Sequence, residues 1–285
     1  MAILGAHVSI AGGISKSVAR AVEIGCDTFQ IFTRNQRQWK APPLDEGDVS
    51  DFREQLSRSG LGPVLAHDPY LINLGAPKDG VFERSVEAFT DELIRCSELG
   101  IGLLVAHPGS HVGSGEASGI SRIAEGLDLA WSGFEGNAAL KETPMVLLET
   151  TAGQGSNLGH TFDQLAGIME RASIKNHLGV CFDTCHAFAA GHDISTPGAY
   201  EKTMQDIEDI IGIEKLMAVH LNDSRKGLGS RVDRHSGIGE GMIGLDGFRS
   251  IMNDGRLKEV PMILETPGGD EAYVKELELL RSLLR

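Results

Sequence analysis

The chain has 285 residues, 41% apolar and 23% charged, with 26 Lys and Arg against 40 Asp and Glu for a formal charge of −14. That composition excludes a disordered or fibrous chain, and no stretch reaches the roughly 18 to 20 unbroken apolar residues of a spanning helix. The start, MAILGAHVSIAGG, carries no charged leader, so a cytoplasmic protein with no membrane partner is expected, and the acidic balance taken alone argues against nucleic acid.

Eight short apolar runs alternate with longer amphipathic stretches: LGAHV (4–8), TFQIFT (28–33), VLAHDP (64–69), LLVAHPG (103–109), MVLLETT (145–151), LGVCFDTC (178–185), LMAVHLND (216–223) and VPMILETP (260–267). Between them, Phe82, Val86, Phe89 and Leu93, and again Tyr200, Met204, Ile207 and Ile211, recur at helical spacing. Apolar strands buried on both faces, each followed by an amphipathic helix, make a parallel sheet. Eight such units predict closure into an α/β fold, a (β/α)8 TIM barrel, as one domain over 1–285 with a last helix near 270–285. An open doubly wound sheet is the alternative. No glycine-rich dinucleotide fingerprint follows the first run, and no P-loop, linker or composition break appears.

Seven of the eight runs finish on a metal-type ligand: His7, His67, His107, Glu149, Asp183 with His186 just after it, His220 and Glu265. In a barrel those carboxyl ends open onto one face. The long segment after the seventh run adds Asp233 and His235, a pair able to grip one ion from a single loop. A lone strand-end histidine is more often a packing residue, and a lone carboxylate commonly caps the next helix. Five histidines and four carboxylates on one face are another matter, because buried carboxylates repel one another unless cations are present. Nine ligands exceed what one ion needs; three ions sharing one bridging carboxylate account for all of them. Cys181 and Cys185 flank Asp183, but a C-x3-C pair without a second is a weak metal signal, and Cys181 shares strand parity with Asp183 and is expected inside the barrel. With Cys26 and Cys96 the cysteines are too few and scattered for a disulfide scaffold.

Clustered divalent ions at an open site favour hydrolysis of a phosphoester, with a metal-dependent sugar isomerase on the same kind of barrel as the competitor. The loops bear on that choice. TRNQRQWK (33–40) after the second run holds three basic residues, three amides and Trp39, HDPYLINLG (67–75) presents Tyr70 and Leu71 at a turn, and the seventh loop supplies Arg225, Lys226, Arg231 and Arg234. Cations, amides and an aromatic on the ligand face suit phosphate contacts and stacking against bases, which a sugar isomerase does not need.

The motifs LGAHVS (4–9), FTRNQRQW (32–39), HDPYLINLG (67–75), HPGSH (107–111), LETTAGQGSNLG (148–159), GVCFDTCHAFAAG (179–191), HLNDS (220–224), GSRVDRHSGIGEG (229–241) and ILET (263–266) span the length of the chain. In them the chain resembles the endonuclease IV family, zinc-dependent apurinic/apyrimidinic endonucleases that share a barrel with xylose isomerase. The resemblance implies three zinc ions, with manganese or iron an alternative in one site. His67 and His107 would hold the first ion, Glu149 would bridge it to a second completed by Asp183, His220 and Glu265, and His186, Asp233 and His235 would hold the third. Glu149 and Glu265 would be the catalytic carboxylates, His7 and His111 would lie behind the ligands or on phosphate, and Asn35, Gln36, Arg37, Gln38, Tyr70 and Leu71 would contact DNA. Pro69 stands where the family usually has serine. The implied reaction, by a monomer in base excision repair, is hydrolysis 5′ to an abasic site in double-stranded DNA, leaving a 3′-hydroxyl and a 5′-deoxyribose phosphate, with trimming of blocked 3′ ends. A non-catalytic damage-binding protein could dispense with the ligands, all nine of which are intact.

Overall fold

The computed structural model describes residues 2–137 and 142–285. Its strands are β1 (Ile3–His7), β2 (Thr28–Phe32), β3 (Leu65–His67), β4 (Leu103–Ala106), β5 (Met145–Glu149), β6 (Leu178–Asp183), β7 (Leu216–Leu221), the short β8 (Asp223–Ser224) and β9 (His235–Ser236), and β10 (Pro261–Leu264). The helices are α1 (Lys16–Ile24), α2 (Glu46–Ser59), α3 (Asp79–Leu99), α4 (Glu116–Glu135), α5 (Phe162–Arg171), α6 (Thr184–Ala190), α7 (Pro197–Ile210), α8 (Gly244–Met252) and α9 (Asp270–Ser282).

The seam between first and last strands decides the architecture. β1 pairs in parallel with β10, Ile3 opposite Pro261 and Ala6 opposite Leu264, so the sheet closes in the order β1-β10-β7-β6-β5-β4-β3-β2. A doubly wound sheet would leave both strands as edges. At the adjoining β1–β2 contact, a Cβ on Gly5 would fall 1.8 Å from the Thr28 carbonyl oxygen, so only glycine lets these backbones approach.

The interior is filled by Leu65, Leu103, Val105, Leu147, Cys181, Ala218 and Ile263, which places Cys181 where strand parity put it. Opposite residues of the same strands, with Phe89 and Leu93 of α3 and Tyr200, Met204 and Ile207 of α7, pack between sheet and helices. Four helices start where a side chain caps them: Asp45 for α2, Thr161 for α5, Asp183 for α6 and Thr196, before Pro197, for α7. Several paired strands stop short of their apolar runs, because the chain leaves the ladder at segments such as Asp68–Pro69 and Pro108–Gly109 to build the carboxyl face.

Candidate metal centre

Each proposed ligand is delivered by the end of a barrel strand or by the β7–α8 connection, except His186, which sits in the first turn of α6. His67, Glu149 and Asp183 are the last residues of β3, β5 and β6, His220 is next to last in β7, and His107 and Glu265 follow β4 and β10 directly. Asp183 also caps α6, its Oδ1 accepting from the His186 backbone N–H at 2.7 Å, which orients the turn carrying His186. Asp233 and His235 come from a loop stitched by the β8–β9 ribbon, where His235 pairs with Ser224. Behind that ribbon, the buried Asp223 carboxylate accepts from five backbone N–H groups, those of Ser224, Gly239, Gly241, Ile243 and Gly244. A Cβ on Gly241 would fall 2.4 Å from Asp223 Oδ1.

The side chains gather into adjoining groups whose potential ligand atoms lie within 4.8 Å of one another: His67, His107 and Glu149; then Glu149, Asp183, His220 and Glu265; then Asp183, His186 and His235. Glu149 Oε2 stands 3.0 Å from both His67 Nε2 and His107 Nε2, while its Oε1 stands 3.1 Å from His220 Nδ1. His220 Nδ1 is also 3.3 Å from Glu265 Oε2 and 3.8 Å from Asp183 Oδ2. Asp233 offers Oδ2 to His186 Nε2 and Oδ1 to His235 Nε2, each at 3.3 Å. Ligand atoms roughly 2.0–2.2 Å from a tetrahedral ion are roughly 3.3–3.6 Å apart, and the contacts across these groups, 3.0 Å at Glu149 and 3.8 Å at Asp183 among them, straddle that spacing.

The protons argue the same way. His67 Nδ1 lies 2.8 Å from the Asp68 carbonyl, His186 Nδ1 2.9 Å from that of Thr150 and His235 Nδ1 3.3 Å from that of Glu265. A carbonyl only accepts, so each Nδ1 carries the proton and each neutral ring turns its Nε2 lone pair toward a carboxylate. Lone pairs facing anions repel unless a cation stands between them. The buried His235 Nε2 makes no hydrogen bond at all among the described residues. Against burial, hydrogen bonds from the ring to the Asp68 and Glu149 carboxylates push His67 up to about 10. Against burial too, His107 and His220 hold the Glu149 carboxyl well below the usual range. The donor set, imidazoles and carboxylates in a partly open face, fits zinc or another first-row divalent ion.

Two predicted residues stand differently. His7 Nδ1 is 3.1 Å from Glu265 Oε1, beside a proposed ligand, whereas His111 joins none of the groups and its Nδ1 accepts from the backbone of Gly113 and Gly115 at 3.2 Å. Cys185 lies near Asp233 and His235, where burial pushes its thiol up to about 12. The sequence reading passed over Gln30, Asn222 and Gln154. Asn222 Nδ2 donates to Asp183 Oδ2 at 2.7 Å while its Oδ1 accepts from the Glu265 N–H at 3.0 Å, and Gln154 Oε1 accepts from the Asp233 N–H at 3.2 Å. A polar residue inside an otherwise apolar run was the available signal for Gln30.

Around this face, Asn35, Arg37 and Gln38 are exposed and Gln36 half-buried on the loop after β2. Tyr70 is 66% exposed yet keeps its ring 5.8 Å from Phe32 and 6.1 Å from His107, beside the half-buried Leu71. Arg225, Lys226, Arg231 and Arg234 are exposed on the opposite loop. The β2 loop is anchored from below: Arg34, itself buried, pairs through Nε with the fully buried Glu92 at 2.5 Å and through Nη1 with Asp91 at 3.1 Å, and Thr33 Oγ1 donates to Glu92 at 2.6 Å. Burial pushes Glu92 up to about 7 even against Arg34. Arg34→Ala would leave that carboxylate without its closest cation, and a loss of about 3–5 kcal/mol in urea unfolding is expected. A loss below about 1 kcal/mol would show that Glu92 does not depend on Arg34.

A family model described as xylose isomerase-like TIM barrel matches residues 18–283. The chain is 51% identical over 286 residues to a protein named probable endonuclease 4 from Geobacter sp. strain M21, covering 100% of this chain and 99% of that protein. The chain belongs to the endonuclease IV family. Among solved structures, endonuclease IV from Thermus thermophilus matches with a TM-score of 0.87 at 36% identity over 98% of both chains. Endonuclease IV membership makes the chain an enzyme of the hydrolase class. A D-tagatose 3-epimerase-like protein superimposes with a TM-score of 0.73 over 99% of this chain and 97% of that one, but at 20% identity, a likeness of fold alone.

Proposed function

We propose that the chain is a metal-dependent DNA repair endonuclease that hydrolyses the phosphodiester 5′ to abasic sites in double-stranded DNA. The observation that carries this reading is Glu149, fully buried, with one carboxylate oxygen on His67 and His107 and the other on His220. A carboxylate so placed joins two adjacent ion positions, and Asp183, facing both His220 and His235, extends the row to a third. His67, His107 and Glu149 would hold the first ion, Glu149, Asp183, His220 and Glu265 the second, and His186, Asp233 and His235 the third. Zinc suits all three, with manganese or iron an alternative in one. When bound, such ions supply a nucleophile at neutral pH and offset charge on the attacking and leaving oxygens of an in-line displacement.

The chain's own groups select the substrate. Arg37 and the cationic loop of Arg225, Lys226, Arg231 and Arg234 bracket the face and meet backbone phosphates. Tyr70 and Leu71, raised beside His67 and His107, enter the gap left by a missing base. A nucleotide without its base has little stacking to lose when it turns out of the duplex, so the lesion itself lowers the cost of reaching Glu149 and Glu265. The products are a 3′-hydroxyl and a 5′-deoxyribose phosphate, and the same face trims blocked 3′ ends. A monomer suffices, since every proposed ligand lies in one chain.

The test is a duplex oligonucleotide carrying one tetrahydrofuran abasic analogue, incubated with the zinc-loaded protein and no added magnesium. Strand cleavage 5′ to the analogue is expected. An intact strand alongside confirmed zinc binding overturns the assignment, and turnover of free sugars instead would favour the isomerase reading.

A further inference from the structure

β2 is the barrel strand that ends on no metal-type side chain, yet its central Gln30 is fully buried and reaches two proposed ligands. Gln30 Nε2 donates to Glu265 Oε1 at 2.7 Å, and Gln30 Oε1 lies 2.9 Å from His220 Nε2. The orientation of this amide is fixed by chemistry: a carboxylate only accepts, so nitrogen must face Glu265 and oxygen must face His220. Gln30 Oε1 in turn only accepts, so His220 Nε2 carries the ring proton. The lone pair of His220 is thereby placed on Nδ1, the atom that faces Glu149, Asp183 and Glu265. Through its other end the same amide takes Oε1 of Glu265, leaving Oε2 turned toward His220. A buried amide is costly unless its hydrogen bonds are made, and this one meets two proposed ligands, its nitrogen lying also 3.0 Å from His7 Nδ1, which itself faces Glu265.

We propose that Gln30 is a positioning residue that sets the His220 tautomer and the seat of Glu265, and so the affinity of the ion position shared by Glu149, Asp183, His220 and Glu265. The inference rests on reading that group as a metal site. The two can fail separately.

The test compares the parent with Gln30→Leu and Gln30→Met, similar in volume but without the amide, and with Gln30→Glu, which sets a carboxylate against Glu265. Metal-free protein is loaded with cobalt(II) or zinc, and affinity is measured for each successive ion by chelator competition. One ion is expected to bind about 10–100-fold more weakly in each variant while the others hold parent affinity. The cobalt absorption bands of that ion are expected to change. In the zinc-loaded parent, His220 Nε2–H should give a slowly exchanging proton resonance, lost in the leucine variant. Parent affinities and an unchanged cobalt spectrum in any folded variant overturn the proposal. So does a chain that folds only with the amide, since Gln30 would then serve the core. If the parent itself fails to bind an ion at this group, the reading of the metal site falls first.

Discussion

Glu149→Gln is expected to lower single-turnover cleavage of the tetrahydrofuran duplex by about 10³-fold or more while changing affinity for that duplex only a few-fold. The substitution keeps the shape of a side chain at 0% exposure, so the barrel should remain intact. What it removes is the charge and one of two oxygens that lie on His67 and His107 on one side and His220 on the other. An amide nitrogen donates and does not ligate, so one of the two adjoining positions loses its shared ligand. Metal analysis should therefore show fewer ions per chain. Affinity for DNA should persist because Arg37, Tyr70 and the cations after β7 are untouched. Cleavage at the parent rate would remove Glu149 from its bridging role.

Stripping the ions with a chelator is expected to abolish cleavage and lower Tm without making unfolding less cooperative, because the interior layer of Leu65, Val105, Leu147 and Ile263 is apolar and independent of metal. The effect should depend on pH with a definite sign. Imidazole binds metal only when neutral, and in the metal-free protein His67 is raised to about 10, the pull of Asp68 and Glu149 outweighing burial. Protons thus compete with the ions, and stripping should be more complete at pH 5 than at pH 8 when the chelator is adjusted to hold the same free-metal concentration at both. Zinc restored at pH 8 should recover both cleavage and Tm. Equal stripping at both values, read by metal content after desalting, would show that these rings do not titrate against the ions.

The barrel was legible because its strands are buried on both faces and read as largely apolar runs, and most of the proposed ligands were legible because they finish those runs. Side chains whose meaning depends on distant partners were not. Gln30 meets residues 190 and 235 positions away, and nothing in TFQIFT announces them. Asp223 gathers backbone N–H groups, which every residue but proline supplies and which leave no mark in a sequence. His111, of the same residue type as the proposed ligands and close to His107 in the chain, turns its ring back onto its own loop, a distinction that residue type does not carry. Net charge misled for a related reason, since −14 sums the whole chain and the cations after β2 and β7 share one face.

The β1–β10 seam has a consequence for when the enzyme becomes dangerous to DNA. Glu265 meets His7 across 258 positions and Gln30 across 235, contacts made once the final strand has docked beside the first. A nascent or truncated chain that stops before β10 carries most of the ligand-bearing strands but not the carboxylate that completes the central group. Strand cleavage by a chain that stops before β10 is therefore expected to be lost, so that fragments of the polypeptide would be harmless to DNA.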